Sequence, residues 1–221
     1  MEIVEGSIVN VDADGLTIRV PYHDWERFVH RRLEVCQVAL RDGRTITPEQ
    51  RKKAHALLNE IAEWMGDVPE YVKKLMKLKF VYEQMQSLDK TVFSLSNVDE
   101  TTAREFISYL IDFIVEHEVP TRVPLYQEAE DITRYVYACL MNKRCAVCGQ
   151  KADLHHVDAV GMGGDRRAID HIGLRCLPLC RVHHNEIHAG GFATFMEKYH
   201  LEPVKIDEAI CKKYKLGRKK T

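Results

Sequence analysis

The sequence predicts an α+β protein: a sheet-plus-helices domain over residues 1–142, a smaller metal-stapled domain over 143–205 and a basic C-terminal tail over 206–221. Three observations carry that prediction. The first twenty residues alternate apolar and polar side chains as a hairpin does, and the middle of the chain repeats apolar side chains at helical spacing. The last third gathers five of the seven cysteines and seven of the eleven histidines. At 221 residues, 45% hydrophobic and 29% charged, the chain can bury one large core or two small ones, which excludes a disulfide-held miniprotein.

The opening hairpin is expected from Ile8 to Val11 and Leu16 to Val20, joined by Asp12-Ala13-Asp14-Gly15, whose Asp-Gly pair suits a tight turn with positive φ. A third strand is expected from Val35 to Leu40. Thr47-Pro48-Glu49-Gln50 then has the form of a capping box with proline at the first helical position, followed by Ala54, Leu57, Leu58, Ile61 and Met65 on one face and Gly66 as a stop. A basic helix follows from Pro69 to Met85, and another starts near Asp99 and carries Phe106, Leu110, Phe113 and Ile114. Pro120 and Pro124 break that pattern. A last helix, from about Leu125 to Met141, turns Ile132, Val136, Cys139 and Leu140 inward and leads into the cysteines.

Charge divides the chain at the same place. Residues 1–142 hold 17 Lys+Arg against 24 Asp+Glu and residues 143–221 hold 15 against 9, so the parts carry about −7 and +6 within a total of −1. The last ten residues contain six Lys/Arg and read as a mobile tail. The longest apolar stretches, Tyr109 to Val115 and Val136 to Met141, are far shorter than the ~20 residues of a membrane span, and the acidic MEIVEGSIVN is unlike a signal peptide. A cytoplasmic protein with no membrane partner is expected.

In a reducing compartment such a density of cysteine and histidine points to metal rather than disulfides. Cys145-Ala146-Val147-Cys148-Gly149 is a metal knuckle, because a two-residue gap lets both thiolates reach one ion and the glycine permits the turn. Cys180-Arg181-Val182-His183 supplies a second pair, giving a Cys3His structural zinc site, with Cys176 as the substitute if a ligand is misassigned. Cys36, Cys139 and Cys211 are expected to be buried or incidental thiols. His155, His184 and His188 are left over and could bind a second, divalent ion, and His156, facing the other way along a strand, would be available as a base. Taken singly, each of these histidines could equally be a solvated helix residue or an extension of the knuckle. Gly161 to Arg167 is a glycine-rich basic loop that could approach a phosphate backbone, or a plain turn.

The order Cys-x-x-Cys, Leu154-His155-His156-Val157, glycine-rich loop, then Leu177-Pro178-Leu179-Cys180-Arg181-Val182-His183-His184-Asn185-Glu186-Ile187-His188 resembles the HNH endonuclease family across roughly residues 143–195. The resemblance implies a ββα-metal unit, a hairpin on a helix around one divalent ion (Mg2+, Mn2+, Ni2+ or Zn2+), stapled by a separate zinc. It makes His156 the general base, His155, His184 and His188 the ligands of the active-site ion, and Arg166, Arg167, Arg175 and Arg181 phosphate contacts. The family's central asparagine is absent: counting back from the Leu-x-Pro-Leu-Cys segment puts Arg175 there, with Asp170 and His171 nearby.

Residues 35–120 resemble the phage lambda Orf (NinB) recombination family in the order of their elements. That resemblance implies binding to single-stranded DNA, cooperation with single-strand-binding protein and a recombinase, and a homodimer. Candidate DNA contacts are Arg51, Lys52 and Lys53, then Lys73, Lys74 and Lys77, beside a local cluster of Arg27, His30, Arg31 and Arg32; Trp25, Trp64, Tyr71, Phe80 and Tyr82 could stack on bases or be core. The whole chain resembles HNH nucleases of Gram-positive phages. A metal-dependent endonuclease of recombination or repair is therefore expected, acting on single-stranded or branched DNA in the host cytoplasm. The competing expectation is a non-catalytic, single-strand-binding recombination mediator whose zinc module only docks DNA.

Overall fold

The computed structural model describes residues 6–21, 23, 26, 29–30, 44–84, 93–96, 98–158 and 170–216. The strand expected from Val35 to Leu40, Cys36, Trp25, Arg27, Arg31, Arg32 and the Gly161 to Arg167 loop lie outside the described residues. The chain is mixed α+β and divides into two compact units, residues 1–42 and 43–221. The domain boundary expected near 142 falls inside the second unit, at the end of a helix.

In the first unit, β1 (Ser7–Asp12) pairs antiparallel with β2 (Gly15–Arg19), and Asp12 opposes Gly15 at the turn. The Asp12 carboxylate accepts the backbone N–H groups of Asp14 and Gly15, and Gly15 takes a φ of 149°. That turn follows from a short acceptor side chain followed by a residue without a Cβ.

The second unit begins with α1 (Pro48–Met65). Both halves of the capping box form: Thr47 Oγ1 accepts the Gln50 N–H, and the Gln50 side chain accepts the Thr47 N–H. Gly66 ends the helix at φ 68°. A short turn leads to α2 (Pro69–Gln84), and Asp99 caps α3 (Glu100–His117) through the Thr102 N–H. α3 is the centre of the core. It packs on α1 and α2 on one side and on α5 (Ile132–Asn142) on the other, and Phe106, Ile107, Leu110, Ile111 and Ile114 are almost fully enclosed. Phe106 stacks edge-on against Phe80 at 5.4 Å and Phe93 at 5.2 Å. Phe106→Ala should therefore destabilise the fold by about 3–5 kcal/mol, measured as a lower denaturation midpoint.

The single helix expected from Leu125 to Met141 is two helices. α4 (Leu125–Glu128) stops after one turn, and Asp131 caps α5 afresh by accepting the Arg134 N–H. The interruption turns Glu130 toward Lys53 at 3.0 Å, which ties α1 to the linker. Arg134 then bridges α5 to α3 through Asp112 at 2.8 Å and Glu105 at 2.7 Å.

After α5 come β3 (Asp153–His156) and β4 (Arg175–Leu179), antiparallel, followed at once by α6 (Arg181–Gly190) and α7 (Phe192–Tyr199). β5 (Val204–Lys205) completes a three-stranded sheet in the order β3-β4-β5. The expected tail from 206 is instead structured as far as 216. Ile206 is buried, Asp207 caps α8 (Glu208–Tyr214), and Ile210 and Cys211 enter the core, because an aspartate cap and an apolar pair outweigh the surrounding lysines. Residues 217–221 lie outside the described residues.

Candidate metal centre and active site

The knuckle begins where α5 ends. Lys143 takes a left-handed φ of 54°, and the chain turns back so that Cys145 N–H donates to the Gln150 carbonyl at 2.7 Å. Gly149, at φ 68°, donates to the Cys145 carbonyl, so the turn depends on a residue without a Cβ. Ala146 N–H donates to the Pro178 carbonyl, docking the knuckle on β4. The second ligand pair sits where β4 becomes α6. Cys180 is the N-cap, and His183, one turn on, shares its face.

Cys145, Cys148, Cys180 and His183 converge. Cys148 Sγ lies 3.7 Å from Cys180 Sγ, and His183 Nδ1 lies 3.5 Å from Cys145 Sγ and 3.1 Å from Cys180 Sγ. A zinc tetrahedron with Zn–S of ~2.3 Å and Zn–N of ~2.0 Å has edges of about 3.8 and 3.5 Å. The four donors therefore already stand near the corners such an ion requires. Burial opposes ionisation of Cys180, yet the backbone N–H and ring of His183 bring it down to about 7, toward the thiolate that binds metal. Cys176 stays apart: it is fully buried on the side of β4 facing Asp207 and Cys211, and burial pushes its thiol up to about 12.

A second cluster lies on the same β3-β4-α6 unit. His155 on β3 faces His184 and His188 on α6, with ring centroids 4.8 and 5.0 Å away and 4.7 Å between the two helix rings, and one ligand atom from each lies within 4.8 Å of the others. Ile187 is buried beneath and fixes the helix rotation that presents both rings. Burial, followed by the neighbouring histidines, pushes His155 down to about 4, so it is neutral at pH 7 and able to donate to a cation.

His156, next along the strand, goes elsewhere. Its Nε2 lies 2.9 Å from Nδ1 of His171, a residue only 3% exposed. The period of two along a strand separates the two adjacent rings. Arg175, at the position of the expected asparagine, pairs with Asp158. Its guanidinium grips the Asp158 carboxylate at 2.7 and 3.0 Å, its own backbone N–H donates to the same group, and this holds Asp158 below the usual carboxylate range. His171, which the sequence places only near the asparagine's position, is the residue that meets His156. The signal was the Gly173 two positions on, which takes φ 85° and folds the chain so that His171 sits ahead of β4 rather than within it.

The expected phosphate contacts separate into groups. Arg181 is exposed at the start of α6, and its charge helps lower His184, after burial and His188. Arg166 and Arg167 lie outside the described residues. Of the basic residues in the first half, Arg51 donates to the Ser96 carbonyl at 2.8 Å, Lys53 is paired with Glu130, and Lys77 is buried with its ammonium on the Phe93 carbonyl. Lys52 and Lys74 are exposed and Lys73 is half-buried. Phe80 is core, whereas Tyr71 and Tyr82 stand 52% and 71% exposed on α2.

No helix among the described residues is long and apolar enough to cross a membrane. No solved structure matches the chain. "Uncharacterized protein YdfU" of Escherichia coli (strain K12) is 35% identical over 130 residues, covering 58% of this chain and 31% of YdfU, so the chain spans about a third of that relative's length. The family described as "Putative HNHc nuclease" matches residues 28–217, which include both clusters and the whole helical core, and the chain belongs to this HNH nuclease family.

Proposed function

We propose that this protein is a metal-dependent DNA endonuclease of the HNH type, acting on single-stranded or branched DNA in phage recombination or repair. The observation that carries this reading is the divergence of two adjacent histidines on β3, one joining a three-imidazole cluster and the other turning to a buried partner. With a structural zinc on the neighbouring tetrad, β3, β4 and α6 would form the family's ββα-metal unit.

A phosphodiester is anionic and repels hydroxide, so its hydrolysis needs a base for the water and positive charge at phosphorus and the leaving oxygen. A divalent ion held by His155, His184 and His188 supplies that charge when bound, and imidazole donors favour Ni2+ or Zn2+ in affinity over Mg2+ or Mn2+. His156 takes the proton of water as its oxygen bonds to phosphorus. The P–O3′ bond breaks, leaving a 5′-phosphate and a 3′ oxygen that is protonated from solvent. Arg181 can hold a phosphate beside the cluster, and Arg175, neutralised by Asp158, is the weaker clamp. Tyr71 and Tyr82, with Lys74 on the same helix, offer unpaired bases a stacking face with positive charge alongside.

The test is cleavage of supercoiled plasmid, single-stranded circles and a branched junction with Mg2+, Mn2+, Ni2+, Zn2+ or EDTA. Metal-dependent cutting supports the nuclease. Single-strand binding without cutting in any metal would move the protein to the mediator reading, which Arg175 in place of asparagine favours. Within the nuclease reading, His184→Ala should lower cleavage by about 100-fold while the tetrad keeps its full zinc equivalent, measured by metal analysis beside the assay.

A further inference from the structure

We propose that His171 is the positioning residue of this active site, standing in for the asparagine that the chain lacks and fixing which nitrogen of His156 acts as base. The inference rests on the nuclease reading above.

One proton lies between His156 Nε2 and His171 Nδ1, which are 2.9 Å apart. If it belongs to His156, valence requires the Nδ1 of that ring to carry the lone pair, and Nδ1 is the atom that receives a proton from water. If it belongs to His171, the proton of neutral His156 sits on Nδ1 and that nitrogen cannot act as base. The bond is thus a tautomer lock, and its direction decides whether the site works.

The lock is built rigidly. His171 is almost fully enclosed, and its carbonyl accepts the Leu174 N–H across a tight turn. Gly173 N–H donates to the Ile206 carbonyl at 2.8 Å, and Ile206 N–H returns a bond to the Leu174 carbonyl at 2.9 Å. The turn is therefore stitched to the strand beyond β4, and the φ of 85° at Gly173 is one that L side chains rarely adopt. His156 is held from its other side by β3 pairing, opposite Cys176. Arg175, at the counted position of the asparagine, is paired with Asp158.

The experiment compares wild type, His171→Phe and His171→Asn, each zinc-loaded, by plasmid cleavage and by nitrogen-15 NMR of the histidine rings. Phenylalanine keeps the ring volume and removes the acceptor; asparagine restores an acceptor oxygen. The expected result is a proton on Nε2 of His156 in wild type, kcat down about 100-fold in His171→Phe with KM and zinc content unchanged, and recovery of at least tenfold in His171→Asn. A proton on Nδ1 of wild-type His156, or full activity in His171→Phe, would overturn the inference. A wild type that cuts no DNA would overturn the nuclease reading instead, and the NMR of wild type still decides the tautomer.

Discussion

His156→Ala is expected to lower DNA cleavage by about 10²–10⁴-fold, the usual contribution of a positioned general base, while single-strand binding and metal content stay at wild-type levels. The geometry makes this a clean experiment. His156 points to His171 and away from the ring cluster, so its removal leaves His155, His184 and His188 in place. The adjacent His155→Ala should behave differently: it also abolishes cleavage, but through loss of the second metal equivalent, because His155 is the buried corner of the three-imidazole cluster. Two neighbouring substitutions would thus give the same activity and different metal counts. A matched loss of DNA binding in His156→Ala would indicate that His156 acts in docking DNA and not as the base.

The parts of this molecule that were legible in the sequence are those set by short-range rules. Thr47 to Gln50 and Asp99 announce helix starts through side chains that reach their own backbone, and both caps form. The two-residue gap of Cys145 and Cys148 and the turn spacing of Cys180 and His183 are local geometry, so the tetrad could be assembled on paper. What was not legible depends on partners distant in sequence. Lys53 and Lys77 resemble solvated cations in a linear pattern, yet one meets Glu130 and the other the Phe93 carbonyl. The run of lysines after 211 masks the helix that buries Ile210 and Cys211; Tyr214 at its end donates to the Leu140 carbonyl, 74 positions earlier. Counting along β4 singles out Arg175 over the nearby Asp170 and His171 because it assumes a straight strand, whereas Gly173 turns the chain just before β4.

With the proposed zinc on the tetrad, Cys145→Ser should release that ion and cost more stability than Phe106→Ala. Structural zinc in small sites contributes about 10–16 kcal/mol at neutral pH, comparable with the roughly 5–15 kcal/mol that holds a whole domain together. The elements that carry the ligands are short. β3 and β4 have four and five residues and α6 has ten, and the four ligands would add a link between the knuckle and α6 to the Ala146 to Pro178 bond and the buried Val147, Leu177 and Leu179. Serine matches cysteine in shape but binds zinc poorly, so the variant isolates the metal bond from packing. Cys176→Ser is the control, because Cys176 is as buried as Cys145 but lies outside the tetrad; it should cost only the ~1–3 kcal/mol of an enclosed hydroxyl and retain its zinc. EDTA should reproduce the Cys145→Ser phenotype in wild type and add little to the variant. Thermal melting with zinc analysis reads all five samples, and a Cys145→Ser protein that kept a full zinc equivalent and an unchanged melting temperature would remove Cys145 from the ligand set. The expected melting order, wild type above Cys176→Ser and both far above Cys145→Ser, follows from one distinction: a buried thiol contributes by filling space, whereas a ligated one closes the fold.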